Sequence, residues 1–196
     1  MSSDVRRPPW SMAAAHGRFQ PLHNEHLQYL VAASALCDTL VIGVTQPVNS
    51  HLLGGNSSHR GEATHNPLTF YERAVLIRAA LLDAGLKPGT FHVVPFPIDA
   101  PSLMADFIPN SLPMITTICD EWNRRKIRTL DEQKYHCHVL WEREAGIRSS
   151  TIRRMLLAGD PTWESLVPSA TIEYIEAWRV ADRVGVAIET RQQDSE

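Results

Sequence analysis

The chain has 196 residues, 43% of them hydrophobic, with 19 Lys and Arg against 22 Asp and Glu for a formal net charge of -3. That length buries one full core and falls in the single-domain range, and the slight acidity argues against general attraction to nucleic acid or an anionic membrane, so any anion must be held by local clusters. No stretch supplies the ~20 apolar residues of a membrane span, and Met1 to Pro9 carries two arginines without the apolar run of a secretory signal, so the expectation is a cytoplasmic protein.

In chain order, residues 1–11 are expected to form a tail, 12–188 one domain, and 189–196 (ETRQQDSE) a disordered end. Residues 11–16 (SMAAAH) read as a buried small-residue strand, 26–37 (HLQYLVAASALC) as a helix and 39–45 (TLVIGVT) as a strong buried strand. Residues 49–67, rich in Gly, Ser, Asn and His, read as a long loop, and loops of that length in compact domains are usually functional or mobile. A helix follows over 68–85, with Thr69 as N-cap, Glu72 three residues on and Gly85 as its stop. Strands are expected at 91–98, 114–119 and, more weakly, 135–141, then a helix from a Ser/Thr cap at 150 to Gly159 and an amphipathic helix over 169–185. Strands alternating with helix-length segments indicate an α/β fold, a doubly wound, Rossmann-like and mostly parallel sheet, with ligands at the carboxyl ends of the strands.

The first strand ends in HGRFQPLHNEH, residues 16–26. With a helix starting near His23, His23 and His26 share one face of its first turn, beside backbone N–H groups that carry the positive end of the helix dipole. Imidazoles aimed at an anion site suit phosphoryl or nucleotidyl transfer better than metal binding, which needs more ligands than this segment supplies. Arg148, Ser149, Ser150, Thr151, Arg153 and Arg154, in IRSSTIRR, make a second anion cradle at a helix start, unless the hydroxyls are an ordinary cap. NRRKIR at 123–128 is the other basic cluster and on its own reads as a solvated face. Cys37, Cys119 and Cys137 are too few and scattered for a disulfide framework or zinc site and are read as reduced.

GRFQPLHNEHL closely resembles the GRFQPxHxGH signature of the nucleotidylyltransferase superfamily. NPLTFYER at 66–73 resembles the NPFTxxER segment of archaeal-type nicotinamide mononucleotide (NMN) adenylyltransferases, GIRSSTIRRML at 146–156 the second phosphate motif SxTxxR, and LVPSATIEYI at 166–175 the closing helix. The resemblance implies that Arg18, His23 and His26 are catalytic, and that Gly17, Phe19, Arg148, Ser149, Ser150, Thr151 and Arg153 bind the nucleotide phosphates. It also implies in-line attack by an acceptor on the α-phosphate of a nucleoside triphosphate, with release of pyrophosphate and no covalent intermediate. Mg²⁺ is then held mainly by the triphosphate, with no metal site of the protein's own.

Two departures bear on the substrate. The adenylyltransferases place a tryptophan after the third strand to stack on nicotinamide, whereas residues 98–109 offer only Phe107. Their short SGNP turn near the base is replaced by CDEWNRRKIRTL, which brings Asp120 and Trp122 to the expected base pocket. Similar substitutions mark the cytidylyltransferases of phosphonate natural-product pathways, which look like diverged NMN adenylyltransferases. A compact acid needs cations rather than a stacking plate, and the candidate acceptor residues are His65 and Asn66 with Arg73, or with Arg124 and Arg125. The favoured expectation is cytidylyl transfer from CTP to a small phosphonate such as phosphonoformate. The alternatives are NMN adenylyl transfer from ATP and a degenerate nucleotide-binding module, the last motivated by Glu25 where relatives carry glycine. Glu25 is expected to point outward, away from the phosphates. A homo-oligomer is possible by analogy with relatives.

Overall fold

The computed structural model describes residues 7–48 and 66–184. Among them five strands form one sheet in the order β3-β2-β1-β4-β5: β1 Trp10–Gly17, β2 Cys37–Thr45, β3 Phe91–Phe96, β4 Met114–Ile118 and β5 Cys137–Glu142. Every pairing is parallel. The expected α/β class is therefore the observed one. β1 starts at Trp10, inside the stretch expected to be tail, and the expected long loop (residues 49–65) and C-terminal tail lie outside the described residues.

Helices cover both faces, which is why the central strand reads as small apolar residues. Ala13 and Ala15 face one side with Leu30, Leu76, Ile152 and Ile175, from helices α1 Asn24–Ser34, α2 Phe70–Asp83, α5 Ser149–Ala158 and α6 Ser169–Ala177. Ala14 faces the other side with Phe96, Met104, Ile108, Leu130 and Tyr135, covered by α3 Met104–Phe107 and α4 Glu121–Glu132. The chain runs to β2 and β3 on one side of β1 and to β4 and β5 on the other. The crevice at the carboxyl ends of β1 and β4 is thus the topological switch point, where ligands bind in open α/β sheets.

The predicted cap of α2 is a full capping box: Thr69 Oγ1 accepts from the Glu72 N–H at 3.2 Å, and Glu72 Oε2 accepts from the Thr69 N–H at 2.8 Å. Other boundaries moved. The first helix ends at Ser34 and Cys37 already belongs to β2, because a short apolar run such as ALC fits a buried strand as well as a helix. Helix α4 was not anticipated, since its sequence is mostly charged, yet Asp120 caps it by accepting from the Asn123 N–H at 3.0 Å. The C-terminal helix breaks after Ala177, with Arg179 at φ 51, and helical backbone resumes with Val180 fully buried in the main core. The expected Ser/Thr cap of α5 is absent: Arg148 occupies the cap position and no side chain caps the helix.

Candidate active site

The turn after β1 is built around a close approach. Phe19 adopts φ 53 and folds its ring back over Gly17, where a Cβ would lie 2.6 Å from Phe19 Cζ, so the position needs glycine. The buried Gln20 side chain clamps Leu68, donating from Nε2 to its carbonyl at 2.8 Å and accepting from its N–H at 3.0 Å. Two arginines hold the turn from beneath. Arg73, 0% exposed, donates to the carbonyls of Thr69, Arg18, Thr45 and Gln46 at 2.7–3.2 Å. Arg153 donates to the Gln20 carbonyl at 2.7 Å and Ser149 Oγ to the Pro21 carbonyl at 3.0 Å. The two sequence motifs are therefore fastened to each other as well as facing one cavity.

His23 is the N-cap of α1, its Nδ1 accepting from the His26 N–H at 3.4 Å; this leaves the ring proton on Nε2. The His23 and His26 rings stack with centroids 3.6 Å apart, and Phe19 packs edge-on against His26 at 5.0 Å. Burial drives the pKa of His23 down to about 4, partly opposed by the Glu25 carboxylate. Burial also holds His26 well below the usual histidine range, with the nearby charges of His23, Lys126 and Arg18 adding to it. Both rings are neutral at pH 7 in the protein alone. A bound polyanion reverses the local field, favouring the charged form through the opposite charge it brings.

Facing this turn is the uncapped N-terminus of α5, and Arg148, Ser149 and Ser150 line the same cavity as Gly17, Arg18, Phe19, His23 and His26. The cavity measures about 690 Å³, large enough for a nucleotide and a small partner. The Glu25 Oε1 accepts from the Gly146 N–H at 3.1 Å. Glu25 is therefore not an outward bystander: it ties the first turn of α1 to the loop that delivers Arg148. Arg143, in the same loop, donates to the Gln28 side chain and stacks 4.6 Å above the Trp141 ring.

Asp120 and Trp122 reach the opposite wall as expected, with Lys126 Nζ 5.0 Å from the Trp122 ring centroid. Five residues expected in the site stand elsewhere: Arg73, Arg124, Arg153, Thr151 and Asn66. Arg73 cannot receive an acceptor, because its guanidinium is buried and spent on carbonyls. Arg124 pairs with Glu142 and Glu121 and does not line the cavity. Arg153 and Thr151 do not line it either: Arg153 serves Gln20, and the Thr151 hydroxyl accepts from Arg154 at 3.3 Å. Asn66 is buried away from the lining and His65 lies outside the described residues. The reading of the sequence missed His16, Gln46, Lys126 and Arg143 as lining residues. Lys126 was within reach of sequence reasoning, since it stands four residues after Trp122 on one helix face.

A family model described as cytidylyltransferase-like matches residues 14–155. The chain belongs to the cytidylyltransferase-like family. It is 34% identical over 171 residues to phosphonoformate cytidylyltransferase of Streptomyces viridochromogenes, covering 86% of this chain and 92% of that one. Against the nicotinamide-nucleotide adenylyltransferase of Pyrococcus abyssi identity is 29% over 170 residues, with 86% and 84% covered. Among solved structures, the bifunctional NMN adenylyltransferase/ADP ribose pyrophosphatase of Francisella tularensis superposes with a TM-score of 0.62 at 16% identity, and this cytidylyltransferase-like chain spans 52% of it. At that identity the likeness concerns the fold. The same bacterial protein was also solved with AMP and a manganese ion.

Proposed function

We propose that this nucleotidyltransferase moves the cytidylyl group of CTP to a small phosphonate acceptor such as phosphonoformate. The observation that carries the reading is the cavity wall after β3, which presents Ile98 and Asp99 to the site, while Phe107 is exposed and off the lining. That wall offers no aromatic plate for nicotinamide among the described residues. The 34% relative supports the same direction.

In the proposed reaction an acceptor oxygen forms a bond to the α-phosphorus as the bond from that phosphorus to the bridging oxygen of pyrophosphate breaks. Arg18, His23 and His26 receive the phosphates from the α1 side, and Arg148, Ser149, Ser150 and the α5 amides hold the leaving β- and γ-phosphates. Catalysis is positioning plus stabilisation of developing charge. Among the described residues no group of three or more His, Cys, Asp or Glu side chains is placed to hold a metal ion, and the donor set of histidines and arginines suits a phosphate chain. Mg²⁺ carried on the triphosphate would supply further charge neutralisation. Asp120 and Trp122 are assigned to the cytosine, whose exocyclic amine needs an acceptor and whose ring needs a face.

The second reading, adenylyl transfer to NMN, is favoured by the 29% relatives. Pyrophosphate release measured with each nucleoside triphosphate crossed against phosphonoformate and NMN decides between them. Release with CTP and phosphonoformate is expected, release with ATP and NMN selects the second reading, and no release under any pairing makes the chain a binding module without turnover.

A further inference from the structure

Three groups lining the cavity have no role so far. His16 is the last side chain of β1 on the Ala14 face, 3% exposed, with its ring 5.7 Å from that of Phe96. Both of its ring nitrogens are buried and make no hydrogen bond among the described residues. Such a residue is expensive: each unpaired buried polar atom forfeits its hydrogen bonds to water, and valine or leucine would fill the space without that loss. Gln46, at the end of β2, adopts φ 50, and its Oε1 is likewise buried without a hydrogen bond among the described residues. Its strained backbone is held by Arg73, which donates to the Thr45 and Gln46 carbonyls. Strain maintained by surrounding structure is typical of ligand sites. Lys126 lines the same cavity from α4, near enough for its charge to act on both the His16 and the His26 rings.

We propose that His16 and Lys126 form the subsite for the second acid group of the acceptor, the one that does not attack. The proposal rests on the cytidylyl-transfer reading and specifies its acceptor: a compact phosphonate bearing a carboxylate close to phosphorus. The attacking phosphonate lies beside His26, and the carboxylate takes the Lys126 ammonium and the His16 N–H. Burial keeps His16 below the usual histidine range, so its neutral ring supplies one donor and one acceptor and leaves the charge match to Lys126. Phosphonates without the carboxylate leave the His16 N–H without a partner and are disfavoured, as sites built to pair a polar group reject analogues lacking it.

The test compares phosphonoformate with methylphosphonate as acceptors for the wild type, Lys126→Met, His16→Leu and His16→Gln. Pyrophosphate release is followed alongside the KM for CTP and the ring-nitrogen spectrum of ¹⁵N-histidine-labelled protein. The wild type is expected to prefer phosphonoformate, and phosphonoformate to shift the His16 ring nitrogens. Lys126→Met and His16→Leu should cut that preference at least tenfold through acceptor KM, with the KM for CTP changing about threefold or less, and His16→Gln should recover part of it by restoring a donor. Transfer to phosphonoformate with an undiminished preference in both Lys126→Met and His16→Leu overturns the subsite and leaves cytidylyl transfer standing. No transfer to any small phosphonate, with the His16 resonances unmoved, overturns both.

Discussion

Removing the Glu25 carboxylate changes two things of opposite sign. It deletes the hydrogen bond to the Gly146 N–H at 3.1 Å, and it removes a negative charge from the cavity proposed to receive the triphosphate. A hydrogen bond to a charged group contributes ~1.5–3 kcal/mol when protected; this one is exposed, so ~1 kcal/mol is the working figure for the latch on the loop carrying Arg148. Releasing that loop should raise the KM for nucleotide about fivefold. Relief of repulsion acts the other way, from ~1 kcal/mol at 4 Å in water to several times that in a lower dielectric. Two further substitutions separate the effects. Glu25→Gln keeps an acceptor for Gly146 and loses the charge, so its KM should equal or fall below wild type. Gly146→Ala keeps the charge, but the new Cβ would lie 2.9 Å from Glu25 Oε1, displacing the carboxylate and raising the KM. Steady-state kinetics on the three variants and the Glu25→Gly/Gly146→Ala double mutant should give Glu25→Gly a KM about fivefold above that of Glu25→Gln, which shares its loss of charge, with kcat within threefold of wild type, and a double mutant no worse than Glu25→Gly. A Glu25→Gly enzyme as inactive as His26→Ala would refute the latch and make Glu25 part of the chemistry.

His26→Ala should lower kcat far more than it raises the KM for nucleotide, since only interactions strengthened in the transition state act on the chemical step; a variant with wild-type kcat removes His26 from the reaction. His23 titrates near 4 when folded and 6.5 when unfolded, so the unfolded state binds more protons between those values, and stability present above pH 6.5 is lost as pH falls toward 4. The loss from this residue is about 2.5 kcal/mol by pH 4.5. Urea unfolding at pH 7.5 and 4.5 should therefore show a smaller pH dependence in His23→Asn, which keeps a good N-cap, and parallel behaviour in the two proteins would contradict the burial account. Arg73→Met orphans carbonyls at the end of β2 and in the β1 turn, so it should cost about 3 kcal/mol or more and lower the Tm by roughly 6–12 °C. Arg73→Lys should recover little, because an ammonium cannot reproduce the planar fork. An unchanged Tm would return Arg73 to the acceptor.

The α/β alternation and the helix–strand order were legible because Ala13–Ala15, residues 39–45 and the Thr69/Glu72 cap each carry a strong local signal. Helix α4 was not, since its stretch is mostly charged and buries only Leu130, although its apolar residues fall on one face, and its stability comes from the Asp120 cap and packing of Leu130 on the second core. That His23, His26 and Arg148–Ser150 line one cavity could be read from contiguous motifs. The fate of the arginines could not, because nothing local distinguishes a guanidinium that binds substrate from one that satisfies carbonyls of distant segments: Arg73 and Arg153 reach 55 and 133 positions away in sequence. The same holds for Glu25, whose partner Gly146 is 121 residues on, and for His16, whose proposed role is argued from the hydrogen bonds its buried ring does not make among the described residues.

The central claim is tested most directly by kcat/KM for pyrophosphate release with CTP and ATP, each against phosphonoformate and NMN. A pocket that pairs the amine and carbonyl of cytosine should favour CTP over ATP at least ~100-fold, about 2.7 kcal/mol, with phosphonoformate as acceptor and NMN inert. Equal or better use of ATP with NMN would contradict the account.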